Sequence, residues 1–239
     1  METLFKILKT NMGLELEFSK EIRSEQISSI TETVYLQAWE LARKNGFSEI
    51  LRVWNYIPQI NDYTNGVENY QHFCTARKSA YLTLKIDSTG FPAASAVGSS
   101  NSKIFFKFLF GDKKPLPISN PLQVEAFHYP KDYGPTPPSF SRATVTGSAL
   151  FLSGTASIRG HQTMYIGDLQ KQLHCTLENI YQVLIEVQTK AQMQIDKKNI
   201  SWRVYLKDFE FQNEVQDLLE SKLGAAVEYV QADICRSQL

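Results

Sequence analysis

Cysteine is scarce in this chain: Cys74, Cys175 and Cys235 are the only three in 239 residues, and they lie far apart. An odd, scattered set without a C-x-x-C pair excludes a disulfide framework and a zinc knuckle. The four histidines, His72, His128, His161 and His174, have neither H-x-H nor i, i+4 spacing, so no metal site is expected. A glycine-rich phosphate loop is missing too, and no cofactor is expected. Ser157 falls between Gly154 and Gly160 at G-x-x-S-x-x-G spacing, which is not that of a nucleophile elbow. Net charge is zero, with Lys+Arg and Asp+Glu both at 25, so a general nucleic-acid surface is not expected. No apolar run reaches membrane-spanning length, and Met1 to Thr10 has no signal-peptide core. Together these absences lead to the expectation of a soluble, reduced, cytoplasmic protein without membrane or nucleic-acid partners, long enough for one large domain or two small ones.

Proline is thinly spread except in one stretch. Between Asn120 and Arg142 lie five of the nine prolines, with Phe127, Tyr129, Tyr133, Phe140 and a closing Arg142. A disordered linker is poor in aromatics, and a strand or helix does not hold so many prolines. A stiff, ordered loop remains, and such a loop either lines a binding site or braces two parts of the fold.

Around that loop the patterning suggests two similar halves. Residues 1–27 are weakly patterned. Ser29-Ile30-Thr31-Glu32 has the form of a capping box for a helix through Val34, Ala38, Leu41 and Ala42 that stops at Gly46. A strand is expected from Leu51 to Ile57, a helix from Val67 to Leu82, and strands from Phe91 to Gly98 and from Lys103 to Phe110. The second half opens on a strand from Leu150 to Ile158. Asp168 then caps a long helix that buries Leu169, Leu173, Leu177, Ile180 and Leu184. A strand from Ile200 to Leu206, a helix from Glu210 to Leu223 and a strand from Val227 to Ile234 follow. Each half thus runs long helix, strand, short helix, strand, an internal duplication. Helices on one face of a mixed sheet, twice over, give an α+β fold with a cleft between the halves, where ligands commonly bind.

Several segments look familiar. Ser153-Gly154-Thr155-Ala156, and Gly167 to Gln172 through Glu178-Asn179-Ile180, resemble the RidA/YjgF superfamily. Asn55 to Asn61, Tyr70-Gln71-His72-Phe73-Cys74, Phe91-Pro92-Ala93-Ala94, the whole Asn120–Arg142 loop and Ser153 to His161 resemble the chorismatase family, and the likeness runs from about residue 30 to Leu239. The resemblance implies two RidA/YjgF-like (chorismate-mutase-like) α+β lobes. Residues 1–146 would be a shortened chorismatase N-terminal domain, and residues 147–239 a RidA/YjgF-like domain lacking the end of its last strand. It also implies a secondary-metabolism enzyme that cleaves chorismate and releases pyruvate. Hydroxybenzoate-forming members resemble this chain in the glycine at Gly154 and the cysteine at Cys235, which implies 3-hydroxybenzoate as product, alone or with 4-hydroxybenzoate. In the family a glutamate a few residues past the position of Leu239 is thought to act as the acid, and it is not among these residues. The alternatives are a hydrolase giving a dihydroxycyclohexadiene carboxylate and a non-catalytic binder of chorismate-like aromatic acids. A third, imine hydrolysis as in RidA, is disfavoured by the added first lobe and loop. RidA relatives are trimers, so monomer and trimer both stay open.

Chorismate is a dianion, and arginine's planar fork suits carboxylates. Arg142, at the end of the stiff loop, is the first candidate, Arg77 on the face of Phe73 the second, and Arg203 on a strand the third. Each is otherwise a surface or structural ion pair. Tyr129 and Tyr133 would donate hydroxyl hydrogen bonds, or else pack against the prolines. Gly154 would let backbone approach the ligand closely, or mark a strand bulge. Cys235 would sit as a small polarizable thiol beside the ring and steer product choice, or be a buried core cysteine.

Overall fold

The computed structural model of the chain describes residues 4–223 and 227–239. It opens on a hairpin, β1 (Lys6–Thr10) and β2 (Gly13–Glu21). The patterning of residues 1–27 is stronger than its first appearance: Leu14, Leu16 and Phe18 are buried and alternate with Glu15, Glu17 and Ser19, a strand's period of two. Helix α1 (Ile27–Lys44) starts two residues before the expected capping box. Ser29 Oγ instead donates to the Gln26 carbonyl, and Glu32 accepts from Ser79 Oγ, so both side chains are taken by other partners. The expected stop holds, with Asn45 at the C-cap and Gly46 at φ +86°.

Then come β3 (Glu49–Pro58), the small hairpin β4 (Tyr63–Thr64) and β5 (Val67–Glu68), and α2 (Asn69–Thr83). Helix α2 starts at Asn69 rather than Val67 because Val67 and Glu68 pair with β4. With β6 (Ala93–Ser99) and β7 (Lys103–Gly111) these strands form a five-stranded sheet ordered β1-β2-β7-β3-β6. β6 runs parallel to β3 and the other pairs are antiparallel, so the sheet is mixed. One sheet face meets α1 and α2 over an aromatic core in which Tyr35 stands edge-on to Phe106 and Phe108 at 5.6 and 4.9 Å. By the alternation of strands, the other face presents Glu15, Glu17, Arg52, Trp54, Tyr56 and Lys107.

The rest is built on α3. A three-stranded sheet, β8 (Leu116–Ile118), β9 (Ala143–Thr146) and β10 (Ala149–Leu152), buries Ile118, Ala143 and Val145 against Val183 and Val187 of α3 (Leu169–Ala191). This sheet takes strands from both sides of residue 146. Asp168 caps α3 as expected, accepting from the Lys171 N–H at 3.0 Å. Between β10 and α3 lies the two-residue pair β11 (Ile158–Arg159) and β12 (Gln162–Thr163). The strand expected from Leu150 to Ile158 therefore breaks at Leu152. The chain leaves its own sheet there to bond β6: Gly154 N–H donates to the Ala94 carbonyl at 3.0 Å, and Ser153 Oγ accepts from Ala94 N–H at 2.9 Å.

β13 (Trp202–Leu206), α4 (Gln212–Leu223) and β14 (Val227–Gln231) complete the chain, with β14 parallel to β13. The last strand ends at Gln231, short of the expected Ile234, because Asp233 and Ile234 turn to the edge of β6. The Asp233 carbonyl accepts from Gly98 N–H at 2.7 Å, and Ile234 bridges Val97. Thus α1-β3-α2-β6 and α3-β13-α4-β14 follow the same order, each closing on a parallel strand pair. The architecture is α+β.

Candidate functional site

The polar face of the five-stranded sheet and the α3-based part enclose a cleft of about 2440 Å³. The Asn120–Arg142 loop forms one of its walls, and local bonds explain why that loop is ordered. Asn120 Oδ1 accepts from Leu122 N–H, Asn120 Nδ2 reaches the Asn179 carbonyl on α3, and Val124 N–H donates to the Gly160 carbonyl. On the other side Thr136 meets Thr75, and the Tyr133 carbonyl accepts from Gln71, both from α2. The loop braces α2 against β11 and also lines the cleft with Tyr129, Tyr133, Phe140 and Arg142, so its two expected roles coincide.

Arg142 is 5% exposed. Its Nη2 donates to the Val124 carbonyl at 2.6 Å and to Tyr129 Oη at 3.0 Å, and its guanidinium lies over the Phe140 ring. Its Nε is buried without a partner among the described residues. Arg77, 1% exposed, stacks 4.7 Å over Phe73, and its Nε and Nη2 are likewise unpartnered. Both arginines line the cleft, and neither is ion-paired among the described residues. Arg203 also lines it, but Glu228 takes its Nε and Nη2, each at 2.7 Å, and its Nη1 donates to Tyr56 Oη at 3.0 Å.

Tyr129 and Tyr133 stand 5.7 Å apart by ring centroid, and Tyr133 Oη is 3.2 Å from His161 Nδ1. Cys235 reaches the cleft because the turn at Asp233–Ile234 docks on β6, where Asn61 Nδ2 also donates to the Ile234 carbonyl at 3.1 Å. The docking is close at Gly98, where a Cβ would come 3.0 Å from Asp233 Cβ and 3.2 Å from its backbone N. Burial pushes the Cys235 thiol up, against the opposing pull of Arg236, so it is protonated at neutral pH and is no thiolate nucleophile. Gly154 lines the cleft at the point where the chain crosses to β6; a Cβ there would lie 3.2 Å from Ser95 Cβ.

Two further arginines line the cleft that sequence patterning did not single out. Arg52 donates to the Val53 carbonyl and to Ser95 Oγ, and burial pulls it down to about 10, which leaves it charged at neutral pH. Arg236 stacks on Tyr133 and Tyr129. The one signal for Arg236 was its place beside Cys235. Arg52, Arg77, Arg142 and Arg236 have no ion-pair partner among the described residues, and the fork of each has the geometry to take a carboxylate. One carboxyl of the cleft, Glu68, is pushed up by burial, with Asn61 opposing.

Residues 11–110 match the family model described as chorismatase FkbO/Hyg5-like, N-terminal. A 3-hydroxybenzoate synthase from Streptomyces hygroscopicus is 36% identical over 228 residues, which cover 87% of this chain. A chorismatase from the same organism is 32% identical over 229 residues, or 90% of this chain. The chain spans 66% of the length of each of these two relatives. A crystal structure of a chorismatase superposes with a TM-score of 0.91 at 29% identity, covering 100% of this chain and 75% of that one.

Proposed function

This chain belongs to the chorismatase family, and from that premise we propose that it cleaves chorismate to pyruvate and 3-hydroxybenzoate, alone or with 4-hydroxybenzoate. The two products together hold the atoms of chorismate, so no water is consumed. The reaction needs a proton at the enolpyruvyl methylene and fixed cations for two carboxylates. The observation that carries the proposal is the pair of buried guanidiniums, Arg142 and Arg77, with unpartnered N–H groups and no carboxylate to neutralise them among the described residues. A buried charge of that kind is costly unless a ligand supplies its counter-charge.

In this proposal Arg142 grips one carboxylate and Arg77 the other. Tyr129, whose oxygen already accepts from Arg142, has its own proton free to donate, and Tyr133 offers a second hydroxyl. The protonated Cys235 thiol lies beside the ring, and Gly154, docked on the same strand β6, keeps backbone rather than a side chain at the cleft. Arg203, with its three guanidinium nitrogens taken by Glu228 and Tyr56, would serve at the rim as the third and weakest cation. The RidA/YjgF-like character of both lobes belongs to the same proposal and is supported by the shared element order; a division at residues 1–146 and 147–239 would pass between β9 and β10, which pair in one sheet.

The test is pyruvate release from chorismate in a lactate-dehydrogenase-coupled assay, with the aromatic product identified by chromatography. Arg142→Ala is expected to lower kcat/KM by about 100-fold, the scale of a lost charge-assisted, two-pronged contact. A protein that leaves chorismate untouched would overturn the proposal, and a dihydroxycyclohexadiene product would move it to the hydrolase.

A further inference from the structure

Arg236 and the loop arginine, Arg142, both lie against Tyr129. Its Cζ is 4.1 Å from the Tyr133 ring centroid and 5.1 Å from that of Tyr129, while Arg142 Cζ is 5.8 Å from the same Tyr129 ring. One side of the Arg236 guanidinium is occupied: Nη1 donates to the His161 carbonyl at 2.8 Å and to Thr163 Oγ1 at 3.2 Å. Those bonds are enough to pin the tail to the β11–β12 pair. They leave Nη2, which is buried and has no acceptor among the described residues, as has Nε of Arg142. Neither arginine is ion-paired among the described residues, and both rest on the same tyrosine ring. Stacking on the two tyrosines holds the Arg236 plane in place before any ligand arrives. A carboxylate, with two oxygens and about four lone pairs, has acceptors enough for the open N–H groups of two guanidiniums.

We propose that Arg236 is a substrate-binding residue that closes, with Arg142, a two-guanidinium cradle for one carboxylate against the Tyr129–Tyr133 pair. Arg77 is then left for the second carboxylate. The identity of the anion as a ring carboxylic acid rests on the proposed function, but the test does not require turnover.

The full chain and its Arg236→Met and Arg236→Lys variants are titrated by calorimetry with 3-hydroxybenzoate and with its neutral isostere 3-hydroxybenzamide. Wild type is expected to prefer the anion by about tenfold or more, the scale of a charge-assisted hydrogen bond. In Arg236→Met that preference should collapse, while affinity for the amide stays within about twofold. Arg236→Lys, which keeps charge but loses the fork, should fall between. With chorismate, the Met variant should raise KM and leave kcat nearly unchanged.

A residue that only anchors the tail would weaken acid and amide alike, so equal loss, no loss, or a wild type without anion preference overturns the proposal. If Arg236→Met does not fold by circular dichroism, the Lys variant decides, and an undiminished anion preference there overturns it. Wild-type turnover of chorismate combined with a retained preference in the variants sinks this inference alone. An inactive wild type that shows the preference and loses it in Arg236→Met sinks the catalytic proposal alone.

Discussion

A guanidinium taken out of water without a carboxylate costs free energy, and this cleft holds such groups at Arg77 and Arg142 beside tyrosines rather than acids. The cleft's raised carboxyl shows the same effect with the opposite charge. Burial pushes Glu68 up, and Asn61 only partly opposes it, so its folded pKa lies above the unfolded value of about 4.3. Glu68 therefore contributes its full stability only below that unfolded value, and the contribution is lost as pH rises through the folded pKa. Glu68→Gln, which cannot ionise, is expected to gain in melting temperature over wild type as pH rises from 4 to 8. A wild type that gains on the variant over that range would show the carboxyl to be stabilised as an anion. Arg142, Tyr129 and Tyr133 were legible in the sequence because they share one proline-stiffened loop. Arg236 was not, because its partners His161 and Thr163 lie more than seventy residues away.

Elements were legible where their signals are local. The cap at Asp168 and the stop at Gly46 needed no tertiary information. Of the residues expected on the buried face of α3, by contrast, only Leu177 and Leu184 are buried, and Leu169, Leu173 and Ile180 are partly exposed. The errors fall where another segment takes the backbone: Val67 and Glu68 go to the neighbouring β4, while Ser153 and Gly154, and Asp233 and Ile234, go to the distant β6. Asn179, fully buried on α3, holds one of these departures in place, its Nδ2 donating to the carbonyls of Ala156 and Ile158, each at 2.9 Å. Asn179→Ala removes one donor from each carbonyl, leaving Ala156 with the Ile158 N–H and Ile158 with Gln123 Nε2, and is expected to cost about 1 kcal/mol in urea unfolding. Activity should fall further than stability, because the segment that carries Gly154 is released. A loss under about 0.5 kcal/mol would mean that water replaces the amide without penalty.

At the scale of the whole molecule, the cleft is spanned by a small polar network. Tyr56 Oη on β3 and Tyr205 Oη on β13 are 2.8 Å apart, and Arg203 donates to Tyr56 while held by Glu228. The Arg203–Glu228 pair is too exposed to add much by itself. The tyrosine contact is more sheltered, and burial raises the Tyr205 hydroxyl well above its ordinary range, so that phenol is neutral at physiological pH. A double-mutant cycle of Tyr56→Phe and Tyr205→Phe is expected to give a coupling of about 1 kcal/mol in stability. Coupling near zero would show that the two faces of the cleft stand without that bond.

Read by itself, the sequence determined the α+β class, the repeated helix–strand–helix–strand order, the stiff loop and the residues it carries. These follow from periodicity, capping and proline geometry, which act over a few residues. Only the tertiary structure decided which arginines share a cleft, which of them is already neutralised, and how Cys235 comes to face it. Those outcomes depend on contacts such as Tyr56 with Tyr205, 149 positions apart, and Asn61 with Ile234, 173 apart. No local pattern encodes such pairings, because a side chain's neighbours across a fold are set by how whole sheets and helices pack.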